Sequence, residues 1–574
     1  MVEIKVSADA PGFATIYTDN QIMRDLLKNS PSRVWGSRCV LYPITELNDI
    51  ISLAALTGDQ ITMCENTTLL WQMHQKKTSL LAKIRESVEK IPIPQVQGFA
   101  GKLFDYQEPI VMANLLMKRQ LLALETGTGK TVISLFTAMA LRSVFPAKVL
   151  VICESNQIHR PWIEKIMEFI PGTFPHLIEG DATQRAERIR EGKMDRVKNW
   201  LWIASYDTMR IEVENMPLNW DLVIMDEITK AKRVSSQTSE AIQKLSAEYR
   251  LGLSATPITN TYTDLYGVMK LVNPQVFTTK KNFIDTYIQL DYFERPVGVK
   301  KGMEAALKAK LAPWMVQVVK KDVGLEKPVH ISTIAVPLTK AQQEKLDEVQ
   351  TEIDNGDKTS FECQTILRQI CNTVKILPEY EDLPLEETTN KVKELESLLE
   401  KCIGKENKKV VLFSYFKSVV SILEEILLKK YSVRIVTGES KKTCSHADIQ
   451  VCYKCPKYRS CNSVKKHVFD FVEGDVQILL GTDSLSKSHD LYTAEVVINY
   501  DLPWNSSDMK QRIGRVDRGH KNIAKEYFVY NLATLGTVEE KIIKKIERKE
   551  KDQGIVLPKY NVALSKLSST IKVR

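Results

Sequence analysis

The stretch LETGTGKT, Leu124–Thr131, lies between an apolar run, QLLALE, and a helix-forming one, TVISLFTAMALR. Strand, glycine-bearing turn and helix in that order predict a phosphate-binding loop. Gly127 and Gly129 let the backbone curl, so that the segment Thr126, Gly127, Thr128 and Gly129 turns its amide N–H groups toward one point. The helix N-terminus behind them adds the positive end of its dipole. Lys130 can then reach the terminal phosphates of a nucleotide, and the Thr131 hydroxyl can hold magnesium. Leu124 stands where the full eight-residue signature has glycine, so the compact G-x-G-K-T form is the one met. The bland alternative is a glycine turn before an ordinary helix.

Working outward, KVLVICE, NWLWIAS and WDLVIMDE repeat the strand-like pattern, each followed by a turn or helix. A second series, KVVLFSY, SVRIVTG, DVQILLGT and EVVINYD, begins near Lys409 and ends at the charged amphipathic stretch GTVEEKIIKKIERKEK. Short β-branched runs alternating with helical ones imply parallel α/β layers. The expected architecture is therefore α/β, with two parallel-sheet lobes. Lobe 1 is expected at 98–271 and lobe 2 at 390–550, with 272–389 a helical insertion between them. A small accessory domain is expected at 1–97 and a basic tail at 551–574.

The 574 residues exceed what one hydrophobic core holds, and 43% hydrophobic with 26% charged side chains excludes wholesale disorder. A formal charge of +9 suits a polyanionic partner but names none. The N-terminus has no basic-then-apolar signal pattern, and no run reaches the roughly 20 apolar residues of a membrane span. The chain reads as soluble and intracellular, cytoplasmic in a prokaryote or its virus and nuclear in a eukaryote, without a membrane partner.

VIMDE sets Asp226 and Glu227 at the end of an apolar strand, where open α/β sheets gather their chemistry. Nucleotide-bound magnesium needs one carboxylate to hold it, and an attacking water needs another to orient it. Asp226 suits the first role and Glu227 the second. A solvated loop start is the alternative.

QRIGRVDR, Gln511–Arg518, packs three arginines into eight residues. On a helix with Gln511 at zero, Arg515 falls at about 40°, Arg518 at about −20° and Arg512 at about 100°. Gln511, Arg515 and Arg518 thus share a face suited to a triphosphate, since arginines stabilise the charge that phosphoryl transfer develops. Arg512 sits to one side.

Taken in order, DYQEPIV, LETGTGKT, VIMDEIT, LSATPI, VLFSYF, LLGTDS and QRIGRVDR resemble the Swi/Snf-type group of superfamily-two helicases, which are double-stranded DNA translocases. Trp162, LRQICNT from Leu367 and DLPWN are further family-like details. The resemblance implies two RecA-like lobes, with ATP and magnesium in the cleft and nucleic acid across both. It implies that Gln107 reads adenine, that Ser254, Ala255 and Thr256 couple hydrolysis to lobe movement, and that Arg515 and Arg518 act as arginine fingers. Tyr206, Ser414 and Thr482 fall in motifs that touch the nucleic-acid backbone in the family, although hydroxyl residues in turns and caps serve structure as often. Two segments depart from the pattern. Ile228-Thr229 follows the acidic pair where relatives have Ala-His or Gly-His, and SKSHDL, Ser486–Leu491, replaces a glycine-rich loop that usually contacts DNA.

The implied activity is ATP-dependent translocation or remodelling on double-stranded or branched DNA, such as fork remodelling, branch migration or annealing. A strand-separating DNA or RNA helicase and an NTP-gated binding scaffold are the alternatives. NSPSRVWGSRCVLYPITELNDIISL, near the N-terminus, is similar over a short span to the HARP-type accessory domain of annealing helicases.

CSHADIQVCYKCPKYRSC holds Cys444, Cys452, Cys455 and Cys461, with His446 and His467 nearby, inside an insertion expected at 440–467. Cys452-x-x-Cys455 has zinc-knuckle spacing, and two more thiolates would complete a tetrahedral zinc site. An iron–sulfur cluster and a loop of reduced cysteines are the other readings.

Overall fold

The computed structural model describes residues 96–544 apart from 156–157, 196–197, 260, 360–361, 441–462, 487–490, 505 and 518–523. Before residue 96 it describes 2–6, 13–21, 34–35, 40–43, 51, 54 and 60–63. Two compact units succeed each other along the chain, with the division between Gly324 and Leu325.

In the N-terminal region β1 (Val2–Val6), β2 (Phe13–Thr18), β3 (Val34–Trp35), β4 (Val40–Pro43) and β5 (Ile61–Met63) form a sheet in the order β3-β4-β2-β1-β5. Among the described residues the β1–β5 pair is parallel and the other three pairs are antiparallel.

Lobe 1 is built on β6 (Arg119–Leu124), β7 (Val149–Cys153), β8 (His176–Ile178), β9 (Leu201–Ser205), β10 (Asn219–Asp226) and β11 (Ser246–Ser254). A hairpin of β12 (Ile288–Leu290) and β13 (Pro296–Val299) follows, and then β14 (Met315–Val318). The sheet order is β14-β6-β11-β10-β7-β9-β8, every pair parallel. β7 and β9 are buried along their whole length because both faces of the sheet are covered. Leu121, Leu150 and Val223 pack into one core cluster, while their neighbours Leu122, Val149 and Leu222 pack into the other.

Lobe 2 holds β15 (Val329–Val336), β16 (Val410–Phe413), β17 (Val433–Val436), β18 (Ile478–Gly481), β19 (Val496–Asn499) and β20 (Tyr527–Thr534), again all parallel, in the order β15-β20-β19-β16-β18-β17.

The stretch 272–389 is not a helical insertion throughout, as expected from its sequence. Its MVQV run becomes β14, the edge of the lobe 1 sheet, and VHISTIAV becomes β15, the edge of the lobe 2 sheet. Neither edge strand carries the pattern of an interior one. β14 is only four residues long, and β15 exposes most of its length, so neither shows the continuous apolar run of an interior strand. Helices do fill the rest, among them Lys280–Tyr287, Glu304–Leu311, Lys340–Asp354 and Gln364–Asn372.

Candidate nucleotide site and its lobe 2 counterpart

Because the lobe 1 sheet is parallel, the loops after β6, β10 and β11 leave from one edge. Register fixes this: Asp226 pairs with Leu253 and Ser254 with Ala123. β11 lies between β6 and β10, so strands spaced about 4.8 Å apart bring phosphate loop, Ser254-Ala255-Thr256 and acidic pair side by side within about 10 Å.

After β6 the chain turns through Gly127 (φ 85°) and Gly129 (φ 88°), both left-handed, into the helix Lys130–Arg142. Glycine is required at 129 for a second reason, since a Cβ there would collide with the Gln107 side-chain amide. Thr128 ties the loop to its own start, its hydroxyl donating to the Glu125 carbonyl at 2.6 Å. Among the described residues no side chain caps this helix, which leaves its first N–H groups directed at the loop's concavity. Lys130 Nζ donates to the Leu124 carbonyl at 2.9 Å, and Thr131 lies in the helix's first turn. Glycine cradle, helix N-terminus and lysine fit a triphosphate, with Thr131 and Asp226 placed to hold its magnesium.

Gln107 is buried, and its amide is spent on the protein itself. Its Oε1 accepts from Phe104 N at 3.1 Å, and its Nε2 donates to the Thr128 carbonyl at 3.2 Å. Tyr106 donates to the same carbonyl at 2.8 Å, and burial pushes its phenol up to about 12. In this structure the pair tethers the phosphate loop, and adenine reading by Gln107 would require its bonds to be exchanged.

Asp226 ends β10 and is buried. Burial raises its carboxyl above the usual range, while Lys130, the Trp162 indole and the Glu227 N–H pull it back down. Trp162 Nε1 donates to Oδ2 at 3.0 Å and Glu227 N to Oδ1 at 3.1 Å. Glu227 itself lies in the left-handed region at φ 48°, ψ 51°. A non-glycine residue there costs about 1–3 kcal/mol and persists where the surroundings impose it, commonly at functional positions.

Tyr206 is buried, and its hydroxyl donates to the Asp226 carbonyl at 2.8 Å, which fixes the acidic strand end.

Beyond the acidic pair, the short helix Ile228–Ala231 delivers Lys232, whose Nζ donates to Asp264 Oδ2 at 2.9 Å and to the Thr259 hydroxyl. Thr259 lies just past Ser254-Ala255-Thr256, and its N and Oγ1 also donate to Asp264, at 3.0 and 2.8 Å. Gly267 permits this approach, since a Cβ would strike the Lys232 carbonyl. A lysine latch thus joins the segment after the acidic pair to the one after Ser254, across the place where the sequence departs from its relatives. Ser254 Oγ accepts from Thr256 N at 3.1 Å, holding that turn.

In lobe 2 the arginines separate. The helix Ser506–Val516 contains Gln511, Arg512 and Arg515 and stops before Asp517, so the helical projection does not extend to Arg518, which lies outside the described residues. Arg512 is fully buried, donating to Asp483 Oδ1 at 2.8 and 3.1 Å and to Asn499 Oδ1 at 2.8 Å, and it is a structural residue. Gln511 is half-buried and Arg515 buried.

Ser414 is likewise interior, its hydroxyl donating to Asp501 Oδ2 at 2.6 Å. Thr482 is half-buried and donates to Ser484 Oγ at 3.2 Å. Asp501 also accepts from Asn372 Nδ2 at 3.1 Å, and the Arg368 guanidinium lies over the rings of Tyr415, Phe416 and Trp504 at 4.8, 5.4 and 4.6 Å. LRQICNT and DLPWN are therefore one packed unit beneath the arginine helix. Next to it, Lys391 and Glu539, each 1% exposed, pair at 2.8 Å. Neither the latch nor this network was read from the sequence. A lysine six residues after Asp226 and a lone buried lysine carry no pattern that distinguishes them from surface charge.

Cys444, Cys452, Cys455, Cys461 and most of SKSHDL lie outside the described residues. Among the described residues no cluster of metal-ligating side chains occurs, and no helix is long and apolar enough to cross a membrane.

A glycine phosphate loop, a buried magnesium-type carboxylate and its neighbouring glutamate on one parallel sheet, followed by a second parallel α/β unit, define a helicase-type ATPase. The SNF2-related domain family matches residues 71–377 and the helicase conserved C-terminal domain matches 390–520. The chain belongs to the SNF2-related family. The ISWI chromatin-remodeling complex ATPase ISW1 of Saccharomyces cerevisiae is 26% identical over 470 residues, which cover 78% of this chain and 39% of the yeast protein. The uncharacterized ATP-dependent helicase YqhH of Bacillus subtilis is 23% identical over 516 residues, covering 82% and 83%. Among solved structures, the Sulfolobus solfataricus SWI2/SNF2 ATPase core in complex with dsDNA aligns with a TM-score of 0.38 at 18% identity, over 84% of this chain and 97% of that one. The chain thus spans well under half the length of the yeast relative.

Proposed function

We propose that this chain is an ATP-dependent translocase acting on double-stranded or branched DNA. The observation that carries the reading is the lobe 1 site itself, where phosphate loop, buried Asp226 and strained Glu227 share one sheet edge in a member of the SNF2-related family. Lys130 and the loop amides bind the phosphates, Thr131 and Asp226 hold magnesium, and Glu227 orients the attacking water. Bound magnesium supplies charge neutralisation at the transferring phosphate. Gln511, Arg515 and Arg518 are assigned to the triphosphate, and Ser254-Ala255-Thr256, with the Lys232 latch, to coupling hydrolysis to movement. Fork remodelling, branch migration and annealing are the processes such a motor would drive.

The test is ATPase stimulation by single strands, duplex DNA, forks and RNA, with Lys130→Ala as control. Stimulation by RNA alone would favour an RNA helicase, and equal rates with and without nucleic acid would favour an NTP-gated scaffold. Cys444, Cys452, Cys455 and Cys461 are proposed as a structural zinc site, which elemental analysis of the purified protein tests: about one zinc per chain supports it, and neither zinc nor iron removes it.

A further inference from the structure

Between the helices Lys280–Tyr287 and Glu304–Leu311, lobe 1 carries a hairpin that ATP chemistry does not use. β12 and β13 pair antiparallel, Ile288 opposite Val299 and Leu290 opposite Pro296. Two strands alone are marginal in water, but this pair is rooted. Ile288 is buried among Phe283, Leu307 and Leu311, and Lys300 N donates to the Tyr287 carbonyl at 2.8 Å. Asp291 builds the turn, its Oδ1 accepting from Phe293 N at 2.9 Å and Arg295 N at 2.8 Å. Glu294 completes it in the left-handed region at φ 58°.

A turn bonded in this way fixes where its tip side chains lie, and it directs them outward. Tyr292 is 95% exposed and Phe293 68% exposed, their rings edge to face at 5.4 Å. Leu290 and Val297 on the same hairpin are exposed as well, and the Arg295 guanidinium lies over Phe293 at 5.0 Å. The segment Lys280–Lys301 holds five cationic and three anionic side chains, and the Asp291 carboxylate is occupied by the turn. At the tip itself the cation is Arg295, and aromatic faces joined by an arginine guanidinium are what unpaired bases stack on. Bases inside a duplex hide their faces, so the complementary target is the point where a duplex opens.

We propose that the hairpin is a pin that stacks Tyr292 and Phe293 on unpaired bases where double-stranded DNA meets a single strand. The inference rests on the reading of the chain as a DNA translocase. It is tested with the full chain carrying Tyr292→Ala and Phe293→Ala, using forked DNA with 2-aminopurine at the first unpaired position, beside a blunt duplex. The expected result is that wild-type protein changes the 2-aminopurine fluorescence and the variant does not. The fork concentration for half-maximal ATPase stimulation should rise about tenfold in the variant. Blunt-duplex stimulation and melting temperature should stay as in wild type, and Tyr292→Trp with Phe293→Trp should keep fork binding. Equal fork affinity in variant and wild type would overturn the pin. So would equal weakening on fork and blunt duplex, or loss of self-association in the variant alone, which would mark a protein-docking tip. Absence of stimulation of the wild type by any DNA would instead overturn the translocase reading on which the pin depends.

Discussion

Trp162→Phe tests the electrostatics of the magnesium carboxylate. The indole N–H donates to Asp226 Oδ2 at 3.0 Å inside a buried site, and phenylalanine keeps an aromatic ring there without a donor. A hydrogen bond to a charged group contributes about 1.5–3 kcal/mol, and each pH unit corresponds to about 1.4 kcal/mol. The Asp226 carboxyl, already raised by burial, should therefore rise by a further one to two units, roughly. Only the ionised form holds magnesium, so activity is lost as pH falls through this value. The acid limb of kcat/KM, which reports the free enzyme, should shift to higher pH by that amount, with the plateau above it largely kept. Trp202→Phe is the control. Trp202 is buried in the same lobe, but its indole donates to the Asn199 carbonyl at 2.8 Å, far from the carboxylate in the bonding scheme. An acid limb in Trp162→Phe that coincides with wild type and with Trp202→Phe would show that the indole does not hold the Asp226 carboxyl down. The sign for stability is the reverse of the usual aspartate. A raised carboxyl costs folding free energy that is fully felt above its folded pKa and relieved as pH falls through it.

Lys232→Met should lower stability by about 1–3 kcal/mol and reduce nucleic-acid-stimulated turnover more than nucleotide binding, because a buried carboxylate loses its cation where the acidic pair meets the coupling segment. A double-mutant cycle with Asp264→Asn that gives a coupling below about 0.3 kcal/mol would dismiss the latch. Lys391→Met leaves Glu539 buried with only the Thr534 N–H at 2.8 Å among its bonds in this network, so denaturant titration should show a loss of about 3–5 kcal/mol, partly restored by adding Glu539→Leu. The two arginines of one helix should behave differently: Arg512→Ala lowers the melting temperature, whereas Arg515→Ala abolishes turnover while ATP still binds. Wild-type turnover in Arg515→Ala would withdraw its assignment.

What the sequence makes legible follows from which physics leaves a local pattern. Interior parallel strands are apolar on both faces, so QLLALE, KVLVICE and WDLVIMDE stand out, and Gly127 and Gly129 take left-handed conformations that glycine adopts without strain. β14 and β15 lie at sheet edges, one short and the other largely exposed, and lose that signature. The helix that carries Arg512 and Arg515 ends at Val516, and nothing in QRIGRVDR marks Arg512 as the arginine spent on Asp483 and Asn499. Tyr206 and Ser414 show the limit most plainly. A hydroxyl in a family motif looks the same whether it meets a ligand or, as here, the Asp226 carbonyl and the Asp501 carboxylate. Long-range pairs such as Lys232–Asp264 and Lys391–Glu539 exist only once the sheets assemble.

The most direct measurement is steady-state ATP hydrolysis by the full chain, alone and with saturating duplex DNA, forked DNA, single-stranded DNA or RNA. Duplex and forked DNA are expected to stimulate turnover well above the DNA-free rate, and Lys130→Ala to show no turnover under any condition. Equal rates with and without DNA, or stimulation by RNA alone, would contradict it.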